Sequence, residues 1–420
     1  MIKVGSDFSG VGAFNQALTR LGIEYKEVYA CDMDKYARQT FIHNYGEPKY
    51  YPLNVYDREI PSESLDIYMT SPPCQAFSLA GKRLGKEDKR GILFFNSLEF
   101  IQVNKPRFFI FENVKGLLSD DGGKTFSEWV NMLGGKSVNG NPVIFAYDDS
   151  VPYHLYWKVL NAKQHGVPQN RERVFLIGIR DDQDNTFRWP VEEHLTKRLK
   201  DVLEEEVDDK YFLSDEHINN ISRLRETLQK HELPNEIRMI DSYNKSIHEN
   251  SICISTRINA SSSTHLSIPI NKSKENNEQK AIILDCYNNT IKIKSATSKG
   301  YEEALDTGCN QGVIQFIFGL NKKRKGMENE FNLSRAYSNK DRVFSKNGIS
   351  PTIMSQETQG RYHTMIDNYK IRRLTPRECF RLMDFPDTFT WPVSDSQAYK
   401  QAGNSIVVRV LEKIIKKLPL

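Results

Sequence analysis

VGSDFSGVGAF, residues 4–14, is the stretch that decides the fold of this 420-residue chain. Its first half, VGSDF (4–8), is typical of a short apolar strand that enters a turn containing Gly10 and Gly12. AFNQALTRLG (13–22) follows with helical spacing and ends at Gly22, which suits a C-cap. A strand that turns through glycines into a helix predicts the opening of a βαβ unit.

The same alternation continues outward from this stretch. Further apolar strands are predicted at 27–31, 65–70, 107–111 and 173–180. Helices are predicted at 35–46 and 92–103. Strands and helices alternating at this pitch predict an α/β fold, with a doubly wound, mostly parallel sheet buried on both faces. We expect residues 1–190 to form this domain.

The composition and the periodicity of the sequence change after residue 190. Residues 242–279 are rich in Ser, Asn and Lys, and 281–320 contain short β-like segments. A basic run, KKRK (322–325), is either a contact to a polyanionic backbone or a solvated turn. We therefore expect 191–370 to form a second, smaller domain that is mostly β and irregular. Helical periodicity then returns, so 371–420 is predicted to rejoin the first domain.

Composition excludes several classes of protein. The 39% hydrophobic and 11% aromatic content is too high for a disordered chain. No apolar stretch approaches the roughly 18 residues that span a bilayer, and MIKVGSDFSG lacks the layout of a signal peptide. Six cysteines without a C-x-x-C pair indicate neither a disulfide scaffold nor a zinc site. We expect a cytoplasmic protein without a metal, and the net charge of +4 permits a polyanionic partner.

Ligands of a doubly wound sheet bind outside the carboxyl ends of its strands. The first strand ends at Gly10 and Gly12, and the second ends at Asp32, 20 positions after Gly12. Glycines allow close approach of the backbone, and an acid at this spacing can bind ribose hydroxyls, so an adenosine-type ligand is indicated. The alternatives are a plain tight turn and an N-cap at Asp32. Asn15 replaces the third glycine of the dinucleotide fingerprint, which disfavours NAD.

The third strand runs into Ser71-Pro72-Pro73-Cys74. Two prolines give the cysteine a rigid mount, which suits a nucleophile whose angle of attack must be fixed. A buried structural cysteine is the alternative. The segment LAGKRLGKEDKRG (79–91) has the glycines and cations of a lid over an anionic substrate, or of a solvated loop.

Two further strand ends carry charged side chains. Glu112 ends the fourth strand and could act as a general acid beside a thiol, or serve as a cap or salt-bridge partner. Arg171 and Arg173 precede the strand at 174–179 and point the same way, because side chains of an extended chain alternate. They could bind phosphate or a carbonyl, or form an ordinary exposed ladder.

Taken in order, these segments resemble the C5-cytosine DNA methyltransferases. The resemblance covers roughly 1–190 and 371–420. Its segments are DFSGVGAF (7–14), CDMDKYA (31–37), SPPCQAFSLAGKR (71–83), FENVKGLL (111–118), QHGVPQNRERVFLIGIR (164–180), RRLTPRECFRLMDFPD (372–387) and QAGNSIVVRV (401–410). It implies the fold of the S-adenosylmethionine-dependent methyltransferases and transfer of a methyl group to cytosine C5.

The resemblance also implies roles for individual residues. Cys74 would be the nucleophile, Glu112 the acid, and Arg171 and Arg173 would lie at the flipped base. The positions that would bind S-adenosylmethionine are Phe8, Gly10, Gly12, Asp32, Met33, Asn54, Val55, Pro73, Leu93, Asn404 and Ser405. Of these, Asp32 would bind the ribose, Met33 would pack on the adenine, and Asn404 and Ser405 would lie near the methionine part.

Four positions depart from the family's usual pattern. Ala13 replaces a third glycine, and Met33 replaces an aromatic residue, which weakens stacking on the adenine. Asn54 replaces the acid that contacts adenine and can still form a hydrogen bond as a neutral group. Ile406 replaces valine, a mild change.

The resemblance implies double-stranded DNA as the partner and no metal. Residues 191–370 lie where such enzymes carry a target-recognition domain, and Thr352-Ile353 resembles the family's Thr-Leu stretch. The polar, basic composition of this region suits contacts to phosphates and base edges. We expect a monomer associated with the nucleoid, and a cognate restriction endonuclease could act separately.

Three other functions compete with this interpretation. A transfer-RNA cytosine methyltransferase would share the Cys-Glu chemistry, but the long variable region and the missing Cys-Phe-Thr signature favour DNA. A DNA-binding regulator without activity is disfavoured because Cys74, Glu112 and both arginines are present. A Rossmann dehydrogenase is disfavoured by the missing third glycine.

Overall fold

The computed structural model describes residues 1–73, 92–212, 348–353 and 371–420, together with short segments between 238 and 365. The chain divides into two compact units. Unit 1 comprises Met1–Val167, Arg171–Glu193 and Phe380–Leu420. Unit 2 comprises Pro168–Asn170 and His194–Cys379.

Unit 1 is built on an eight-stranded sheet with the order β2-β1-β3-β4-β9-β7-β5-β6. Its strands are β1 (Ile2–Asp7), β2 (Tyr25–Cys31), β3 (Ile67–Thr70), β4 (Phe108–Val114), β5 (Ser137–Val138), β6 (Asn141–Pro142), β7 (Tyr153–Asn161) and β9 (Glu172–Arg180). The two-residue strand β8 (Gln169–Asn170) belongs to unit 2.

Four of the helices that the structure describes lie between strands of this sheet along the chain: α1 (Ala13–Arg20), α2 (Lys35–Tyr45), α3 (Ile92–Asn104) and α4 (Lys124–Leu133). Helix α5 (Pro376–Leu382) begins in unit 2 and ends in unit 1, and α6 (Asp395–Asn404) and α7 (Val408–Ile415) follow in unit 1. Helix α2 begins where the sequence supplies an N-cap, since the Asp34 carboxylate accepts hydrogen bonds from the N–H groups of Tyr36 and Ala37. Helix α1 ends as predicted, with Gly22 in the left-handed region just beyond it.

The direction of the strands places their functional ends together. β1 pairs in parallel with β2 and with β3, and β3 pairs in parallel with β4. In this register Asp7 is level with Cys31 on one side and Thr70 on the other. The carboxyl ends of four parallel strands therefore lie along one edge, as the α/β prediction requires. β9 joins antiparallel to β4 and pairs Val174 with Asn113.

The core of unit 1 explains why the central strands are so apolar. Phe108 to Phe111 on β4 are fully buried, with helices or connecting segments on both sides of the sheet. Aromatic rings fill one layer, where the Phe94 ring stacks on Trp129 at 4.2 Å and the Tyr68 ring stacks on Phe100 at 4.1 Å.

The described part of unit 2 is rich in strands, as its short apolar islands predict. A five-stranded antiparallel sheet contains β10 (Arg238–Asp241), β11 (Ser246–His248), β12 (Thr264–Pro269), β13 (Gln279–Asp285) and β14 (Thr290–Ala296). A four-stranded sheet contains β15 (Phe316–Gly319), β16 (Arg342–Ser345), β18 (His363–Met365) and β19 (Ile371–Arg373). β17 (Ser350–Pro351) pairs with β8.

Some elements of unit 1 differ from the sequence-based expectations. Strand β7 and helices α4 and α6 were not predicted, although the buried Phe126, Trp129 and Leu133 of α4 follow helical spacing. The periodicity of NSIVVRVLEKIIKKL (404–418) predicts a last helix from Asn404, but this helix begins at Val408. Asn404 is the last residue of α6, and residues 405–407 form the turn after it, where the backbone of Ser405 is extended (φ −68°, ψ 161°).

Candidate active site

The turn after β1 has the backbone of a ligand-binding loop. Phe8, Gly10 and Gly12 all adopt positive φ, at 56°, 57° and 83°. A Cβ on Gly12 would lie 2.3 Å from the ring of Tyr45, so packing against α2 excludes any side chain there. A Cβ on Gly10 would meet nothing nearer than the Phe8 carbonyl oxygen at 3.9 Å. Gly10 therefore leaves the backbone open to a ligand.

Asp32 lies beside this turn and is bound to it. Its carboxylate accepts the N–H of Gly10 at 2.8 Å and the N–H of Asp34 at 2.8 Å. Burial raises the pKa of Asp32, although both backbone donors act in the opposite direction. Asp34 caps α2, which excludes the alternative that Asp32 is the N-cap. Asp32 thus connects the ends of the first two strands.

The apolar residues predicted to bind the cofactor differ in exposure. Met33 is 84% exposed, whereas Phe8 is half-buried against the core. Val55 is buried and Leu93, near the start of α3, is half-buried. The exposed side chain of Met33 is therefore open to a flat aromatic ligand.

Asn54 and Pro73 lie in connecting segments and are exposed. The Asn54 side-chain oxygen accepts the N–H of Tyr56 at 2.9 Å, which forms a turn around Val55. This contact uses one of the two acceptor sites of the Asn54 side-chain oxygen. The role of Asn54 toward adenine stays a prediction.

The turn between α6 and α7 is held by Arg171. The Arg171 guanidinium is buried and donates to the carbonyl oxygens of Gly403 at 3.0 Å and Ser405 at 2.7 Å. Asn404, between them, is exposed, and Ser405 is buried. Arg171 was predicted to lie at the flipped base, and this role stays a prediction. Its observed hydrogen bonds stabilise the segment that carries Asn404 and Ser405.

Glu112 and Arg173 form an ion pair at the end of β4. The Arg173 Nε lies 3.2 Å from Glu112 Oε1, and both side chains are largely buried. Burial raises the pKa of the Glu112 carboxyl above its usual range, and the charges of Arg173 and Arg171 offset only part of this rise. A raised pKa favours the protonated form of the carboxyl, which is the form that a general acid requires.

Cys74 and the segment 79–91 lie outside the described residues, as does KKRK (322–325). The chain just before Cys74 is described, and Asn113 fixes it. The Asn113 side chain donates to the Pro72 carbonyl oxygen at 3.2 Å. β3 and β4 are neighbours, so this bond ties the Pro-Pro segment to the residue after Glu112.

The sequence alone assigned no role to Asn113. Its position is the signal that could have found it, since a buried polar residue near the end of an apolar strand needs a hydrogen-bonding partner.

In unit 2, the Thr352 hydroxyl donates to the Asn170 carbonyl oxygen at 2.6 Å. The Thr-Ile pair and the start of the QNRER segment are thereby joined.

The described part of the chain shows neither a metal site nor a membrane-spanning helix. Within it, no group of three or more His, Cys, Asp or Glu side chains could hold a metal ion. None of the helices that the structure describes has the length and apolarity needed to cross a membrane.

A family model described as C-5 cytosine-specific DNA methylase matches residues 2–419. The chain belongs to this family. The enzyme class predicted from the motifs is thereby confirmed, and the substrate class of a C-5 cytosine-specific DNA methylase is cytosine in DNA.

Relatives match over nearly the whole chain. The orphan methyltransferase M.SPRI of Bacillus phage SPR is 33% identical over 463 residues, covering 99% of this chain and 97% of its own length. Type II methyltransferase M.HpaII of Haemophilus parainfluenzae is 30% identical over 415 residues, covering 98% and 87%. The crystal structure of S. pombe Dnmt2 methyltransferase has a TM-score of 0.57 at 16% identity, covering 99% and 97%. That likeness confirms the predicted methyltransferase fold.

Proposed function

We propose that this methylase transfers the methyl group of S-adenosylmethionine to C5 of a flipped-out cytosine in a specific double-stranded DNA sequence, through a covalent bond between Cys74 and cytosine C6. The Glu112–Arg173 pair carries the proposal. It combines a buried carboxyl whose pKa is raised with a cation at 3.2 Å, on the strand whose Asn113 binds Pro72, two residues before Cys74 in the sequence.

The turn after β1 fits an adenosine-type cofactor. Gly10 leaves space where a Cβ would project, Asp32 presents a carboxylate at the adjoining strand end, and Met33 adds an exposed apolar side chain. Phe8, Gly12, Asn54, Val55, Pro73, Leu93, Asn404 and Ser405 complete the proposed cofactor-binding residues. S-adenosylmethionine, when bound, supplies a methyl group from its sulfonium centre.

The chemistry of cytosine explains why a thiol and an acid are needed together. C5 is a poor nucleophile, so the Cys74 thiolate first forms a bond to C6, which moves the electron pair of the C5–C6 double bond toward C5. The Glu112 carboxyl gives its proton to N3, and an arginine at O2 stabilises the same developing charge. C5 then accepts the methyl group. Water or hydroxide from the solvent takes the C5 proton, which reforms the C5–C6 double bond and expels the Cys74 thiolate, while N3 returns its proton to the Glu112 carboxylate.

Cytosine is stacked inside duplex DNA, so the target base must be flipped out at a cost of a few kcal/mol. We assign recognition of the surrounding sequence to residues 191–370. Support comes from the polar composition of this region and from its position between the QNRER and TPRE segments. Exchanging 191–370 with the same region of a relative should change the site that is methylated and leave the product as 5-methylcytosine. An active hybrid that keeps the original site would contradict this assignment.

The test of the activity uses labelled S-adenosylmethionine with duplex DNA or transfer RNA. We expect 5-methylcytosine in the DNA arm, identified by mass spectrometry of nucleosides. Bisulfite sequencing of DNA from cells that express the protein should then give one methylated sequence. Label in the RNA arm alone would favour the transfer-RNA methyltransferase. Binding to DNA without label in either arm would favour a regulator without activity.

A further inference from the structure

A cluster of four polar side chains lies buried at the carboxyl end of β1. At its centre is Asp7, the last residue of the strand, whose side chain is fully buried. Arg58 Nη2 lies 2.9 Å from Asp7 Oδ2, and the hydroxyl groups of Tyr29 and Tyr68 also donate to this carboxylate. The Asp7 carboxylate is thus bound by three donors inside the core.

Arg58 binds more than its ion-pair partner. Its Nη1 donates to the carbonyl oxygen of Val55, and its Nη2 also donates to the carbonyl oxygen of Asn96 at 2.8 Å. One guanidinium therefore joins three segments: the end of β1, the turn at 54–58 and helix α3. These segments carry Phe8, Asn54 with Val55, and Leu93, all of them among the proposed cofactor-binding residues.

The local sequence makes this burial unusual. Arg58 follows Tyr56 and Asp57, which are both exposed, yet its own side chain is only 1% exposed. The Phe100 ring lies 5.4 Å from the Arg58 guanidinium carbon and stacks on Tyr68, so an aromatic wall keeps the guanidinium in place.

Stability alone is a poor reason for such a pair. Removing two charges from water costs free energy, and a buried ion pair can often be replaced by apolar residues without loss of stability. The planar guanidinium can instead hold several acceptors in fixed directions at once. The geometry here uses that property, because the three acceptors belong to three different segments.

We propose that Arg58, anchored by Asp7, is a positioning residue that fixes the three segments of the cofactor site relative to one another. The proposal rests on the proposed function, since it takes S-adenosylmethionine to bind at this edge. Arg58 contacts the backbone of Val55, so it would act through the turn that carries Asn54 and Val55. It should determine affinity for the cofactor and its product, with little effect on the chemical step.

Two variants separate positioning from charge compensation. The double variant Asp7→Leu with Arg58→Met removes both charges and keeps the volume apolar, but it deprives the buried hydroxyls of Tyr29 and Tyr68 of their acceptor, so it should fold with a lower melting temperature than the wild type. Arg58→Lys keeps a positive charge beside Asp7, but a single ammonium group cannot reach the Val55 and Asn96 carbonyls together.

The readout is the dissociation constant of S-adenosylhomocysteine, measured by calorimetry on the full chain. We expect it to rise about 10- to 100-fold in both variants. The KM for S-adenosylmethionine should rise with it, while kcat at saturating cofactor and the KM for DNA stay within about threefold.

The matched control is the ion pair between Arg107 and Asp66, whose atoms lie 3.0 Å apart. It lies at the opposite ends of β3 and β4 in the same sheet, so Asp66→Leu with Arg107→Met should leave the dissociation constant unchanged. An unchanged constant in the double variant at Asp7 and Arg58, or full recovery of affinity in Arg58→Lys, would overturn the positioning role. If the double variant does not fold, Arg58→Lys decides. Wild-type protein that fails to bind S-adenosylhomocysteine would instead contradict the proposed function.

Discussion

The carboxyl edge of the sheet has two halves, and the carboxylates of these halves have different hydrogen-bonding and ion-pair partners. On the first two strands, Asp7 accepts from three side-chain donors and Asp32 accepts two backbone N–H groups at 2.8 Å. On the fourth strand, Glu112 faces the guanidinium of Arg173 at 3.2 Å, and burial raises its pKa. Burial raises the pKa of all three carboxyl groups, so the two halves differ in their partners: several fixed donors bind Asp7 and Asp32, whereas an ion pair with Arg173 holds Glu112.

This difference matches what each half is proposed to do. A cofactor site needs side chains that keep one position, and multiple hydrogen bonds supply that rigidity. A general acid needs a proton to give, and burial acts in that direction by favouring the neutral form of Glu112. The comparison therefore predicts that variants of the two halves change different kinetic constants.

The largest effect is expected for Glu112→Gln. An amide keeps the shape of the carboxyl but cannot give N3 a proton, so kcat should fall about 10²- to 10⁴-fold. Calorimetry should show unchanged affinity for S-adenosylhomocysteine, because Glu112 belongs to the other half. A large loss of cofactor affinity would break the division between the two halves.

The control for this variant is Glu172→Gln. Glu172 lies next to Arg173 in sequence but forms an exposed ion pair with Lys115 at 3.0 Å. Exposed pairs contribute little free energy, so this variant should keep kcat within about threefold. A loss similar to that of Glu112→Gln would indicate a general effect of charge near β9.

An intermediate effect is expected for Asp32→Ala. The loss of its carboxylate should weaken S-adenosylmethionine binding by about 1–3 kcal/mol, the scale of a charge-assisted hydrogen bond. The control Asp34→Ala removes the N-cap of α2 and an ion pair with Lys400, so it should cost about 1 kcal/mol of stability and spare the affinity. Calorimetry with equal affinity for the wild type and Asp32→Ala would exclude the ribose role.

The smallest effect concerns a titratable group in neither half. His165 is fully buried, and burial together with the charge of Lys413 lowers its pKa to about 4. The unfolded chain binds a proton at this residue near pH 6.5. Stability should therefore fall as the pH drops from 6.5 towards 4.

His165→Phe should remove this part of the acid sensitivity. Near pH 5 the variant should take up about one proton fewer on unfolding than the wild type, measured by denaturant unfolding at several pH values. Methylation at pH 8 should be unaffected, since the imidazole is neutral there in both states. An identical pH slope for both proteins would show that His165 does not titrate as its burial implies.

Much of unit 1 could be predicted from sequence because its central strands are unmixed. RFFIF (107–111) is continuous and apolar, since β4 is buried on both faces. Strand β7, YHLYWKVLN, was not predicted because its buried and half-buried positions follow neither a strict two-residue alternation nor one continuous apolar run. Helix α6, DSQAYKQAGN, was not predicted because its sequence is mostly polar.

The site was predictable where a motif is local and was missed where partners are distant. The spacing of Gly12 and Asp32 indicated that both lie at adjoining strand ends, whereas the hydrogen bond from Gly10 to Asp32 is shown only by the structure. Arg58 lies 51 positions after Asp7 in a surface segment, so no periodicity indicates that its side chain turns inward. An acidic residue at the end of an apolar strand does signal that some donor must exist, but only the fold identifies it.

The most direct test of covalent methyl transfer is a trapping experiment with duplex DNA that contains 5-fluorocytosine at the methylated position. Fluorine cannot leave as a proton does, so elimination stops after methyl transfer and the enzyme stays bound to C6. We predict an adduct that requires S-adenosylmethionine, survives denaturing electrophoresis and maps to Cys74. It should be absent in Cys74→Ser, because a serine hydroxyl ionises far less than a thiol of pKa about 8.5. An adduct on Cys31, Cys253, Cys286, Cys309 or Cys379, or full methylation activity in Cys74→Ser, would contradict it.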